Sequence, residues 1–461
     1  MAKNSSPINF QVKTIQINNL KMISNHALIN RLDRIAVILV YALFFFSAFS
    51  MAAAGGITLL LGAFAAFCLF TYPEWRELKN PLAVPLFAFV FFSLLSTFWM
   101  DPFFESIEKL RDFWRFLLPF VIWKCFKTIK QEQLLKFFLI ILFLISIYGV
   151  IQYFFGVDWL RPEGHKKITP YAPDNVNTGV FHAKGNFSHH LTYSHYLLLV
   201  FPVYLSLVST RTISFKVRIM FLLGSLAIMA GMTLSLGRSA WLGASAAHGI
   251  LALQLPKKWL IGIGGLTATG ALLLLPILQI GSSFTTYQQK IESPLKARMD
   301  SLFTLRHHRD RFFLWESAML AIQDHFWFGI GFDNDAEVMQ PYRQTVGEKY
   351  QHVQFTNQAS AGVHNIYLQT FLNSGAVGLL CYLWLWGTLL GWNIRWIRHA
   401  KDDFPFEKSL LWGISAGFTG FLIAGIFENS FRDGEVQTIL FTLMGWSLHL
   451  GFQIKNRGEN R

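Results

Sequence analysis

The sequence predicts an all-α polytopic membrane protein of about twelve transmembrane helices, and three observations predict it. The 461 residues are 53% hydrophobic and only 15% charged, with a mean hydropathy of +0.37. A soluble globular domain carries about a quarter charged residues. Apolar runs of membrane-crossing length recur along the whole chain, and basic residues gather in alternate short connections between them. That placement also sets aside nucleic-acid binding as the reason for a net charge of +13. The lipid bilayer is the expected partner.

A helix rising about 1.5 Å per residue needs about 20 apolar residues to cross the hydrocarbon core. On that measure the first nine candidates are 35–54, 57–72, 81–100, 113–126, 134–155, 193–209, 217–236, 239–255 and 259–278. Three more follow at 372–393, 410–430 and 436–452. The first run begins after a polar segment without a cleavage pattern, so it reads as a retained helix and not as a signal peptide. Cys68, Cys125 and Cys381 sit in apolar runs or beside a basic loop, with no disulfide or zinc spacing.

Orientation follows from the positive-inside rule. With residues 1–34 cytoplasmic, five short loops on that side are all basic. They carry Arg76 and Lys79, then Lys124, Lys127, Lys130 and Lys136, then Arg211, Lys216 and Arg218. Lys257 and Lys258 follow, and finally Arg395, Arg398, Lys401 and Lys408. The opposite loops Ala54–Ile57, Gly237–Ser239 and Ser430–Val436 are read as poor in charge, and 101–112 as mixed. The implied plan is nine helices over 35–278 with an outer loop at 156–192. A large, mostly helical outer loop follows at 279–371, helices ten to twelve fill 372–452, and 453–461 is a cytoplasmic tail. Long connections in compact proteins are commonly functional.

Arg238 is the most informative single residue. It stands between two spans, flanked by the small Gly237 and Ser239, and an ionisable residue at such a place marks a functional site by default. The bland reading is an arginine reaching lipid headgroups. Arg306, Arg309 and Arg311 concentrate positive charge before a helical pattern, and the planar guanidinium suits phosphate. A solvated basic face competes with that reading for Arg306 and Arg309. It competes less for Arg311, which abuts Phe312, Phe313 and Trp315.

His364, followed by Asn365, lies where the long loop re-enters the membrane, and an imidazole can take a proton from an attacking hydroxyl near neutral pH. His182, His189, His190 and His195 could line the same cavity in contact roles. Asp333, Asp335 and Glu337 resemble a cation site only faintly, because the twelve-residue calcium-loop pattern is missing. Helix capping is the better reading of them. Walker, Rossmann and HExxH patterns are absent, which removes nucleotide-driven and zinc-peptidase readings.

These residues resemble the O-antigen ligase and polymerase superfamily of bacterial inner-membrane glycosyltransferases, over about 35–452. The likeness rests on Tyr148–Gln152, on Gly185–Phe187 with His189, on Ser235–Ser239 and on Arg311–Trp315. Gly329–Gly331 and the span opening at His364 and Asn365 and reaching Gly375 complete it. The sequence departs from the family in lacking a proline near Phe326.

The resemblance implies a periplasmic active site without cofactor or metal. The donor would be an O-antigen glycan on undecaprenyl diphosphate, and the acceptor a hydroxyl of the lipid A–core oligosaccharide. Arg238 and Arg311 would hold the diphosphate and His364 would activate the hydroxyl, with Arg306, Arg309, His189 and Asn365 as further contacts. The transfer would invert the anomeric carbon, since no carboxylate pair with retaining spacing is evident. An O-antigen polymerase and a protein O-oligosaccharyltransferase share the donor and stay open as alternatives. A transporter is the distant one, because neither repeats nor broken midplane helices are visible in the sequence.

Overall fold

The computed structural model describes residues 30–71, 75, 79–100, 106, 113–161, 167–170, 180–210, 212–253, 309–350, 362–400 and 404–459. Among them the secondary structure is helical, apart from isolated β-bridges pairing Val157 with Lys167 and Pro170 with Phe181. Among the described residues, seven helices are long and apolar enough to cross a membrane. They are α1 (Asn30–Phe49), α2 (Met51–Thr71), α3 (Ala83–Met100), α5 (Gln131–Phe155), α6 (His190–Val208), α7 (Phe215–Leu234) and α11 (Ile366–His399). The remaining α-helices are α4 (Leu118–Cys125), α8 (Arg238–Ala252), α9 (Arg309–Asp324), α10 (Asp335–Gly347), α12 (Pro405–Ala424) and α13 (Gly434–Glu459).

Several expected spans therefore differ in form. The run 113–126 is an eight-residue helix between two 3-10 turns, Phe113–Leu117 and Phe126–Thr128. Pro119 near the start of α4 offers no backbone N–H for a continuous ladder through this region. At 15 residues α8 is about 22 Å long, short of the hydrocarbon core. The expected span 259–278 lies outside the described residues, as does the loop segment 279–308.

α12 and α13 have the length of spans and are less apolar, and burial explains it. Every residue of α13 from Glu435 through Gly451 is buried. A helix sheathed by other helices can hold polar groups that bond locally. Thr438 donates to the Gly434 carbonyl, Thr442 to Thr438, and Ser447 to Met444. α13 is thus a central post, packed against α4, α6, α11 and α12.

The expected span 372–393 lies inside a longer helix, α11, which is interrupted at Gly375 (φ 67°, ψ −171°). A break within a span frees backbone carbonyls that must find donors. Ile330 N–H donates to the Leu372 carbonyl (2.8 Å), while Gly331 N–H (3.0 Å) and Ser96 Oγ (2.6 Å) both donate to Asn373. The segment leaving α9 is therefore plugged into the break. Only glycine fits there, because a Cβ at Gly375 would collide with the Trp327 carbonyl. Without a proline at this turn, α9 unwinds gradually, with His325 N–H bonded to Ala321 and Gly329 N–H to His325. The helices α9 and α10, which pack on each other, are in this way pinned to a span.

Candidate functional site

α11 starts at Ile366, and Asn365 caps it by accepting the Leu368 N–H at 2.9 Å. The expected substrate contact at Asn365 is, in the structure, a helix cap. The residue before the cap, His364, has φ +52°, an uncommon conformation for a side chain with a Cβ. Such strain persists where the surroundings over-determine it. Here the Trp315 indole of α9 donates to the Val363 carbonyl (3.0 Å), and Val363 N–H donates to Gln369 Oε1 (2.9 Å). Ile366 N–H donates to the carbonyl of Gly425 at 2.7 Å. His364 is clamped from three sides.

Its imidazole Nδ1 meets Glu428 Oε1 at 2.8 Å. Glu428 follows the end of α12 and is buried. Burial pushes its carboxyl upward, yet the His364 hydrogen bond and the positive charges of His364, His195 and Arg311 together hold it below the ordinary carboxylate range. Glu428 is therefore the acceptor and Nδ1 the donor. The ring is 40% exposed, so Nε2 is the basic nitrogen available to chemistry when the imidazole is neutral. The Glu428 hydrogen bond also raises the His364 pKa, against an opposing push from burial.

Arg311, in the first turn of α9, places Nη2 3.8 Å from Glu428 Oε2. That is an ion pair and not a hydrogen bond, and Glu428 Oε2 has no hydrogen-bond partner among the described residues. Arg309 opens α9, and Arg306 lies outside the described residues.

Arg238 is the first residue of α8, on a tight turn from α7 in which Leu236 has φ +60°. The turn is braced by histidines: His190 Nδ1 lies 2.9 Å and His182 Nδ1 3.3 Å from the Ser235 carbonyl, with their rings 4.2 Å apart. His182 and His190 thus position the turn that presents Arg238. The next residue, Ser239, is buried with Oγ 3.4 Å from His195 Nε2, on the α6 helix. His189 caps α6 by accepting the Leu191 N–H at 3.3 Å. Burial lowers its pKa, and it lies within electrostatic reach of His364 and Glu428. The first turns of α6, α8, α9 and α11 and the end of α12 therefore meet at one end of the bundle.

The connection between α12 and α13 was expected to be poor in charge, and it is the reverse. Residues 428–435 hold Glu428, Arg432, Asp433 and Glu435. Asp433 Oδ2 accepts from Thr192 (2.7 Å), and Glu435 Oε1 from Ser188 (3.2 Å). Arg432 clasps Asp333 and, at 2.9 Å, Asp335, whose other oxygen accepts from Gln369. Asp333 and Asp335 thus serve an inter-element ion pair. The capping expected here is not made: the N-cap of α10 is Asn334, whose side chain donates instead to the Ile330 carbonyl. Four charges in eight residues beside a span were the signal that could have marked this connection.

The helices and this site define a multi-pass α-helical membrane protein with a histidine–carboxylate pair beside an arginine. A family model described as O-antigen ligase matches residues 194–383, a stretch that holds Arg238, Arg311, His364 and Gly375. Over that stretch the chain is similar to the O-antigen ligase family. No curated protein matches the chain.

Proposed function

We propose that the chain is an O-antigen ligase, transferring a glycan from undecaprenyl diphosphate to a hydroxyl of the lipid A–core oligosaccharide. The observation that carries this reading is the His364–Glu428 pair, with the Arg311 guanidinium beside the same carboxylate. His364 Nε2 takes the proton of the acceptor hydroxyl as its oxygen bonds to the anomeric carbon. Glu428 holds the imidazole in the needed tautomer and stabilises the imidazolium, as the orienting acid of a catalytic triad does. The bond from the anomeric carbon to the phosphate oxygen breaks on the opposite face, so the centre inverts.

Negative charge then grows on the departing undecaprenyl diphosphate. Arg238 and Arg311 bind it in this reading, and pre-positioned cations stabilise such charge most where water is excluded. Arg311 can serve because its contact with Glu428 is longer than a hydrogen bond. The basic bias of the opposite loops supports a periplasmic site in the bacterial inner membrane, and with it the plan of twelve spans and an outer loop at 279–371.

The test is transfer in vitro from undecaprenyl-diphosphate glycan to rough lipopolysaccharide, with and without EDTA. The expected outcome is transfer that EDTA leaves unchanged and that Arg238→Lys impairs, since lysine keeps charge but loses the planar fork. Activity abolished by EDTA and restored by magnesium would overturn the arginine mechanism. Glycan delivered to a second lipid-linked glycan, or to a serine, would reassign the protein as a polymerase or a protein glycosylating enzyme.

A further inference from the structure

At the ends of the bundle away from His364, a cavity of about 710 Å³ opens between the start of α3 and the ends of α11 and α13. Its walls include Lys79, Val84, Trp392, Trp396, Phe452 and Lys455. The His364 site lies just before the first residue of α11 and this cavity some 26 residues along that helix, so about 40 Å separates them.

The walls have two chemistries. Val84 is 65% exposed and continues the apolar surface of a span, whereas Lys79 and Lys455 are exposed cations at helix ends. Between them runs a chain of rings: Trp392 to Trp396 (5.6 Å), Trp396 to Phe452 (6.1 Å) and Phe452 to Trp123 (5.0 Å). Each end of that chain carries a cation, with the Arg395 guanidinium 4.9 Å from the Trp392 ring and Lys124 Nζ 4.3 Å from the Trp123 ring.

The Trp396 ring lies flat on α13 because position 451 is glycine, where a Cβ would collide with the ring. Tryptophan, lysine and an open apolar flank at the ends of spans together match a phospholipid at the membrane interface. The lysines at its mouth, Lys79 and Lys455, favour the anionic kind.

We infer that this cavity binds the headgroup of an anionic phospholipid from the leaflet opposite the His364 site. Lys79 and Lys455 meet the phosphate, the tryptophans pack on the glycerol region, and the acyl chains follow α3 past Val84. The inference does not depend on the glycosyl-transfer reading, because it uses no residue of that site.

Native mass spectrometry of the delipidated full chain tests it with three probes: phosphatidylglycerol, phosphatidylcholine and inorganic phosphate. Wild type should retain phosphatidylglycerol over phosphatidylcholine by about tenfold or more. The double variant Lys79→Gln with Lys455→Gln should lose that preference, and Lys79→Arg with Lys455→Arg should keep it. Equal retention of both lipids, or a preference that survives the glutamine pair, would overturn the inference. So would loss in the arginine pair, which would trace the effect to lysine packing. Displacement of the lipid by millimolar phosphate would assign the cavity to a soluble phosphate ester instead.

Discussion

Four residues apart on one connection, Glu428 and Arg432 organise two ion-paired assemblies that differ in completeness. Arg432 is the fork between Asp333 and Asp335, and Asp335 is satisfied further by Gln369. Glu428 is buried, uses one oxygen for His364, and has no hydrogen bond to the other among the described residues, while Arg311 stands 3.8 Å off. Buried polar groups are normally paired, so an exception needs a reason. The difference teaches how to read charges at one membrane face. The saturated clasp ties α10 to the loop before α13, while the unsaturated one holds a strained histidine beside an arginine.

The largest expected effect would break the comparison at its functional side. His364→Ala should lower transfer by about 10²–10⁴-fold with the protein still folded. Glu428→Gln should also be severe, up to about 10⁴-fold, because it removes the negative charge that stabilises the imidazolium and lets an amide NH2 favour the wrong tautomer. The sign of its pH effect is specific. A base works when neutral, and Glu428 raises the His364 pKa above 6.5, so wild-type activity should fall as pH drops through that raised value. In Glu428→Gln the fall should begin at lower pH. A pH–rate profile unmoved by the substitution would separate Glu428 from the reaction.

Arg432→Ala tests the structural side. It strips the counter-ion from Asp335, whose side chain is 5% exposed, but Arg432 itself is 40% exposed and screened by solvent. A loss of about 2–3 kcal/mol in thermal or denaturant unfolding is expected, with transfer per folded molecule within a few-fold of wild type. A stable but inactive variant would move Arg432 into the substrate site.

Asp433 sharpens the contrast, since it lies between the two assemblies. Burial first, then the charges of Glu435 and Glu428, push its carboxyl up to about 7, against the pull of Thr192 and Arg432. A folded-state pKa raised above the unfolded value of 3.8 gives stability that is full below pH 4 and lost as pH rises towards 7. Asp433→Asn should therefore be more stable than wild type at pH 8 by about 1–2 kcal/mol, with the gap closing by pH 4. Unfolding curves at the two pH values decide it.

The smallest effect is expected at Asn365. Loss of its cap in Asn365→Ala should cost about 0.5–1 kcal/mol, and Asn365→Ser should recover most of that. Donor affinity unchanged in both variants would confirm the cap as its whole role. A lower affinity in the serine variant would restore the substrate contact.

Much of this was legible in the sequence for particular reasons. Arg238, Arg311 and His364 stand out because charge is rare beside apolar runs, and each rarity is local. Apolar runs of span length likewise show where α1 to α3 and α5 to α7 lie, because lipid selects hydrophobicity residue by residue. Where the helix is sheathed by protein, as in α13, that selection is relaxed and the signal fades.

What the sequence by itself determined is a helical membrane protein with Arg238, Arg311 and His364 set close to apolar runs. Each of these follows from the cost of placing polar atoms in hydrocarbon. Only the tertiary structure decided that His364 rests on Glu428, 64 residues away, that Asp333 and Asp335 serve Arg432, and that α11 breaks at Gly375 to receive the turn after α9. Those pairings depend on which helix ends meet, and helix packing is set by shape across the bundle, which no local pattern records.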